Sequence, residues 1–254
     1  GSEMCIRDSR IVHPYLYLTT TMTNAFIVGA KRTPFGAFGG KLSNVSPAWL
    51  GGIASKAALA QLPSNVIPSS TVFGQVLYVD SSAPYLARHV GHYAGLPITT
   101  PALTINRLCG SGFQTVINAV QEIKSGDSDV VLTGGAENMS MSPFVMQGMR
   151  FSGARLGTDI KLIDTLMHSL TDSVPVPTPM GITAENLAVK YGITRTQCDE
   201  FALQSQQRWA KANADGAFKD EIVPVEVKVK KSTEMFEVDE HPRPQTTIEQ
   251  LAKL

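Results

Sequence analysis

Residues 102–124 constrain this chain more than any other stretch. An apolar, β-prone run, Ala102-Leu103-Thr104-Ile105, leads through Asn106-Arg107-Leu108-Cys109-Gly110 into a segment with Phe113, Val116, Ile117, Val120 and Ile123 at helical spacing, ended by Ser125-Gly126. A strand feeding directly into an amphipathic helix predicts a βαβ unit, with parallel strands and a right-handed crossover. The turn between them then lies at the carboxyl edge of the sheet, where α/β proteins bind ligands. Cys109 occupies that turn. The amides and dipole of a helix N-terminus favour a thiolate, and Gly110 and Gly112 are expected to let backbone and substrate approach closely. A cysteine taken alone is more often a small buried hydrophobe. The small, polar Gly110-Ser111-Gly112 flank favours chemistry instead.

The rest of the chain repeats this texture. Phe26-Ile27-Val28-Gly29-Ala30 reads as a first, core strand and 31–42 as a loop. Ser46 and Pro47 read as N-cap and first-turn residue of a helix whose apolar face is Leu50, Ile53, Ala54, Ala57, Ala58 and Leu62. A strand over 71–79, a helix over 85–93, a strand over 102–108, a helix over 111–124 and a strand over 129–133 complete a βαβ half. After Gly134-Gly135 the chain becomes rich in methionine and proline, with six of nine methionines at Met139, Met141, Met146, Met149, Met167 and Met180. Such a segment suits a loop-rich lobe with adaptable apolar surface. Helices are predicted over 182–191 and 196–213, the second opened by Thr194 and Gln197 in capping-box spacing. Cys198, in its first turn, reads as structural. Val223, Val225, Val227 and Val229 alternate with Pro224, Glu226, Lys228 and Lys230, the pattern of a strand with one buried face at a sheet edge.

Composition narrows the function classes. Lys plus Arg equals Asp plus Glu at 22 each, so no global positive field draws the 254-residue chain to nucleic acid or anionic membrane. No apolar run approaches the ~20 residues of a membrane span. Three dispersed cysteines, Cys5, Cys109 and Cys198, argue against a disulfide framework and for a reducing compartment. Residues 1–21 read as an unrelated leader, with Met22 as the natural start. Between Met22 and Val79 there is no Asp or Glu, a bias shared with mitochondrial import sequences.

Several motifs are set aside. His89 and His92 share a helix face without further ligands to complete a metal site, so no metal is expected. Gly39-Gly40-Lys41-Leu42 lacks the upstream glycine and the hydroxyl of a phosphate loop. Asn44-Val45-Ser46 and Asn138-Met139-Ser140 match the glycosylation pattern, which has no bearing in a reducing compartment. Arg243 and Thr246 follow Lys228, Lys230 and Lys231 and suit a phosphorylated ligand, but the residues alone favour an ordinary solvated basic surface.

Taken together, Asn106-Arg107-Leu108-Cys109-Gly110-Ser111-Gly112, Gly134-Gly135-Ala136-Glu137-Asn138-Met139-Ser140 and Met180-Gly181-Ile182-Thr183-Ala184-Glu185-Asn186 resemble the thiolases. Ala30-Lys31-Arg32-Thr33-Pro34-Phe35-Gly36, Tyr85-Leu86-Ala87-Arg88-His89-Val90, Ala202 to Trp209 and Arg243-Pro244-Gln245-Thr246-Thr247 are similar to the mitochondrial 3-ketoacyl-CoA branch of that family. Pro179 stands where the short-chain branch commonly has histidine. The resemblance runs from about Met22 to Leu254. It implies a thiolase-like α/β fold with a leader over 1–21, an N-terminal half over 22–137, a loop lobe over 138–243 and a return segment over 244–254. It also implies that Cys109 cleaves a 3-ketoacyl-CoA of fatty-acid β-oxidation through a cysteine thioester, that Arg243 and Thr246 contact CoA, and that Met180 lines the acyl pocket. CoA enters as substrate, with no tightly bound cofactor. A homodimer or homotetramer of the full-length protein is implied, with Tyr85 to Val90 near an interface, as is residence in mitochondria.

The resemblance also marks what this sequence lacks. The family's second half carries the histidine that activates the nucleophile, a second cysteine acting as acid and base, and an asparagine loop. None of those motifs occurs here, so a truncated and inactive chain is expected. Two other readings are a condensing enzyme on the same scaffold and a non-catalytic CoA- or lipid-binding relative.

Overall fold

The computed structural model describes residues 24–229 and 232–254. The leader, the start at Met22, Cys5, Lys230 and Lys231 lie outside them. In chain order the central unit runs α1 (Pro47–Leu59), β1 (Ser70–Gly74), α2 (Leu86–Ala94), β2 (Ala102–Ile105), α3 (Ser111–Ser125) and β3 (Val131–Gly135). The strands form a parallel sheet in the order β2-β1-β3, so β1 is central and all five of its residues are buried. Parallel strands need helical crossovers, and α2 and α3 supply them. Phe73 of β1 packs with Ala48, Leu86, Ala87, Val90, Ala94 and Leu132 in one core cluster. Gly74, on the opposite face of the strand, meets α3.

The rest of the chain contains β4 (Phe144–Val145), α4 (Met149–Ser152), β5 (Ile163–Asp164), α5 (Thr165–Ser169), β6 (Thr171–Asp172), β7 (Thr178–Pro179), α6 (Met180–Tyr191), α7 (Arg195–Ala214), β8 (Val225–Val229), β9 (Ser232–Phe236) and α8 (Ile248–Leu251). Thr194 and Gln197 close the expected capping box on α7. Val225 and Val227 of β8 are buried and Glu226 and Lys228 exposed, the alternation read from the sequence. The partner β9 was not foreseen, because Ser232 to Phe236 lacks a clean apolar alternation. Val225, Val227 and Phe236 pack on Leu42 and Leu50, which joins this hairpin to the base of α1.

Four expectations are corrected. Residues 26–30 form no strand: Phe26, Ile27 and Val28 are exposed, and no strand among the described residues lies beside them to take their backbone hydrogen bonds. Ser46 makes no side-chain cap; its carbonyl accepts the Leu50 N–H at 3.1 Å, and Pro47 opens the helix without a cap. The strands expected over 71–79 and 102–108 end at Gly74 and Ile105 because side chains take over the backbone there. The Val76 N–H goes to Glu137, and the Leu108 N–H to Asn106. The apolar stripe of α3 faces outward over its first part. Its buried residues are Ser111, Thr115 and Ala119, while Phe113, Val116 and Ile117 are exposed.

Candidate active site

Cys109 is exposed, on a tight turn between β2 and α3. The Gly110 N–H reaches the Arg107 carbonyl at 3.1 Å and the Ser111 N–H the Leu108 carbonyl at 3.0 Å. Leu108 has φ +48° and is the one non-glycine residue at positive φ among those described. A leucine in this left-handed region costs roughly 1–2 kcal/mol, so neighbouring contacts must hold it. Ser111 does so. Its buried hydroxyl accepts the Arg107 N–H at 2.8 Å and donates to the Leu108 carbonyl at 2.6 Å. Asn106 fixes the other side, taking the Leu108 N–H at 2.9 Å on its side-chain oxygen and donating to the Val76 carbonyl at 3.2 Å.

The glycine that admits this arrangement is Gly74, not those beside the cysteine. A Cβ on Gly74 would stand 2.7 Å from the Ser111 Cβ and 2.9 Å from its backbone carbon, whereas one on Gly112 would meet nothing and one on Gly110 only the Arg107 carbonyl at 3.4 Å. The first turn of α3 therefore rests directly on the central strand. Cys109 immediately precedes the N-cap, Gly110, of this 15-residue helix. The first-turn amides of a helix have no intrahelical acceptors and its amino end carries positive potential, a setting that favours negative charge developing on a substrate oxygen placed there.

Glu137, just after β3, accepts the N–H groups of Val76 and Leu77 at 2.8 and 3.4 Å. Burial pushes its carboxyl above the ordinary glutamate value, against the lowering effect of those two amides. The next residue, Asn138, is buried and donates to the carbonyls of Leu42, Ser43 and Val45 at 2.9, 3.3 and 2.9 Å. Glu137 thus holds the segment that follows β1, and Asn138 ties the carboxyl edge of the sheet to the loop before α1. The sequence motif around them was visible, but not what its amide and carboxylate would hold.

Arg243 and Thr246 lie together on the exposed segment before α8. Thr246 donates its hydroxyl and its N–H to the Arg243 carbonyl at 2.7 and 3.0 Å. The Arg243 N–H is taken by Gln206 of α7 at 2.7 Å, and its guanidinium makes no hydrogen bond or ion pair with the described residues. Met180 is exposed at the first position of α6. No hydrogen bond joins Cys109, Met180 and the Arg243–Thr246 pair to one another among the described residues. Cys198 is exposed in the first turn of α7. Among the described residues no group of three His, Cys, Asp or Glu side chains could hold a metal. His89 stacks on Tyr85 with ring centroids 5.8 Å apart, and His92 is exposed. No helix among the described residues is long and apolar enough to cross a membrane.

Comparison with known proteins places these features in context. Residues 25–254 match the family model described as the thiolase N-terminal domain. The chain is 55% identical over 234 residues to the mitochondrial 3-ketoacyl-CoA thiolase of Bos taurus, an alignment covering 92% of this chain and 58% of that protein, and the Homo sapiens protein gives the same figures. The crystal structure of human mitochondrial 3-ketoacyl-CoA thiolase superposes with a TM-score of 0.86 over 90% of this chain and 58% of its own. The human structure in complex with CoA superposes with a TM-score of 0.84, over 90% of this chain and 57% of its own. The chain thus spans a little under three fifths of the length of these relatives.

Proposed function

This chain belongs to the thiolase family, and from that premise we propose that it supplies the nucleophile-bearing part of an acetyl-CoA C-acyltransferase that cleaves 3-ketoacyl-CoA in fatty-acid β-oxidation. The observation that carries the reading is the mounting of Cys109, an exposed thiol held by Leu108, Ser111 and Asn106 at the amino end of α3. In the proposed reaction its thiolate attacks the C3 carbonyl carbon of the substrate. The C2–C3 bond then breaks, its electron pair passes to the acetyl-CoA fragment as an enolate, and a proton at C2 completes acetyl-CoA. The shortened acyl group stays on Cys109 as a thioester until the thiolate of free CoA displaces it. Two covalent steps replace one difficult carbon–carbon cleavage.

CoA is the expected ligand of Arg243 and Thr246: a guanidinium with no hydrogen bond or ion pair among the described residues suits a phosphate. Met180 is assigned to the acyl pocket. The organisation follows the same reading, with a nucleophile half over 22–137, a lobe over 138–243 and a return segment over 244–254. The names of the mitochondrial relatives support residence in that organelle. A symmetric dimer or tetramer is proposed for the whole protein, and no tightly bound cofactor is required. Neither the activating histidine nor the second cysteine of the family has a counterpart in this sequence, so the 254 residues alone should turn over poorly.

The test is incubation of the full-length protein, with its second half supplied, with acetyl-CoA, followed by intact-mass measurement and peptide mapping. One acetyl group on Cys109, absent in Cys109→Ser, is the expected result. A chain that binds CoA yet never acetylates would instead support the non-catalytic reading.

A further inference from the structure

Two adjacent acids hold the segment that carries Arg243. The buried carboxylate of Asp239 accepts both terminal guanidinium nitrogens of Arg32 at 2.7 and 3.1 Å, the Phe35 N–H at 2.8 Å and the Trp209 indole N–H at 3.2 Å. Glu240 uses a single oxygen, Oε2, to accept the N–H groups of Ala37 at 3.0 Å and Lys41 at 3.1 Å. The Glu240 N–H goes to the Phe35 carbonyl at 2.8 Å. Gly40 passes beneath that carboxylate so closely that a Cβ there would collide with Oε2. Residues 35–41 therefore wrap the two acids. The same loop is bound from its other side by the end of the sheet, through Asn138 on the carbonyls of 42, 43 and 45, and through the Gly39 N–H on the Ser140 hydroxyl at 2.9 Å.

We propose that Asp239 and Glu240 are positioning residues: acting through residues 35–41, they fix segment 241–247 against the sheet that carries Cys109 and so set the reach between Arg243 and the thiol. The proposal rests on the reading of Arg243 as a contact for CoA phosphate. CoA carries its phosphates at one end and its sulfur at the other, so the span between cation and nucleophile has to match the ligand. A segment ordered before binding also avoids the entropic cost of ordering it on the ligand.

Hydrogen exchange on the 254-residue chain tests the anchoring without any ligand. Glu240→Ala should speed exchange at Ala37, Lys41 and through 241–247 by about tenfold, the loss of one to two charge-assisted hydrogen bonds, with β1 and α3 unchanged. Glu240→Gln should restore most of the protection, because one amide oxygen can accept both N–H groups. Gly40→Ala, which displaces the carboxylate without altering it, should match Glu240→Ala. Titration with CoA and with pantetheine, which lacks the phosphates, reads the consequence: about tenfold weaker CoA binding in Glu240→Ala and no change for pantetheine. Unchanged exchange over 241–247, or equal weakening of both ligands, overturns the proposal. If Arg243→Ala leaves CoA affinity intact while the exchange result holds, the CoA assignment is at fault and the anchoring stands.

Discussion

Asp239 shows how one side chain ties distant parts of the chain. Burial raises its carboxyl, but the hydrogen bonds from Arg32, Phe35 and Trp209 and the charge of Arg32 together outweigh this and hold it below the ordinary aspartate value. A carboxylate depressed in the folded state stabilises the fold at pH above its unfolded value. That contribution is lost as pH falls through the folded one, below about pH 4. Glu137 has the opposite sign, since its raised folded value costs stability at neutral pH and returns it on acidification. Asp239→Asn should therefore cost about 2–3 kcal/mol in urea unfolding at pH 7, somewhat under the loss expected for a wholly buried pair because Arg32 is partly exposed, and less at pH 3. An equal cost at both pH values would mean that shape, not charge, holds the joint. None of these bonds was legible in the sequence. Arg32 and Asp239 are far apart along the chain, and nothing local marks one as the other's partner, whereas the Thr194–Gln197 box was readable because both its residues sit within one helical turn.

Among the elements, α3 best separates what periodicity tells from what it does not. The spacing of Phe113, Val116, Ile117, Val120 and Ile123 correctly marked a helix, because an apolar stripe at that period fits no strand. It could not tell which face meets the sheet. The contact face is Ser111, Thr115 and Ala119, small residues one turn apart, while Phe113, Val116 and Ile117 are left to solvent and Val120 and Ile123 are half-buried. The two faces should respond oppositely to substitution. Ala119→Leu, enlarging a residue pressed between helix and sheet, should cost about 1–3 kcal/mol. Phe113→Ser, at a residue 83% exposed, should change stability by less than about 0.5 kcal/mol. Thermal or urea unfolding of both variants decides it, and the reverse ranking would mean that the helix is rotated from the orientation described.

On the scale of the whole molecule, Phe26, Ile27, Val28, Leu103, Phe113, Val116 and Ile117 are all exposed, and apolar groups of this size mark interaction surfaces where they adjoin one another. The purified chain should self-associate with rising concentration and bind a hydrophobic dye, both measurable by light scattering and fluorescence. A monodisperse, dye-silent monomer would contradict the view that these faces are built to be covered. The placement of Cys109 does not depend on how they are covered. Because Gly74 seats the first turn of α3 on the central strand, the thiol's position belongs to the sheet. None of the contacts described for that seat comes from residues 138 onward, so substitutions there leave the groups that hold the sulfur in place. An ancestor with this seat could diversify its ligands through one region of the gene while inheriting its nucleophile unaltered through another.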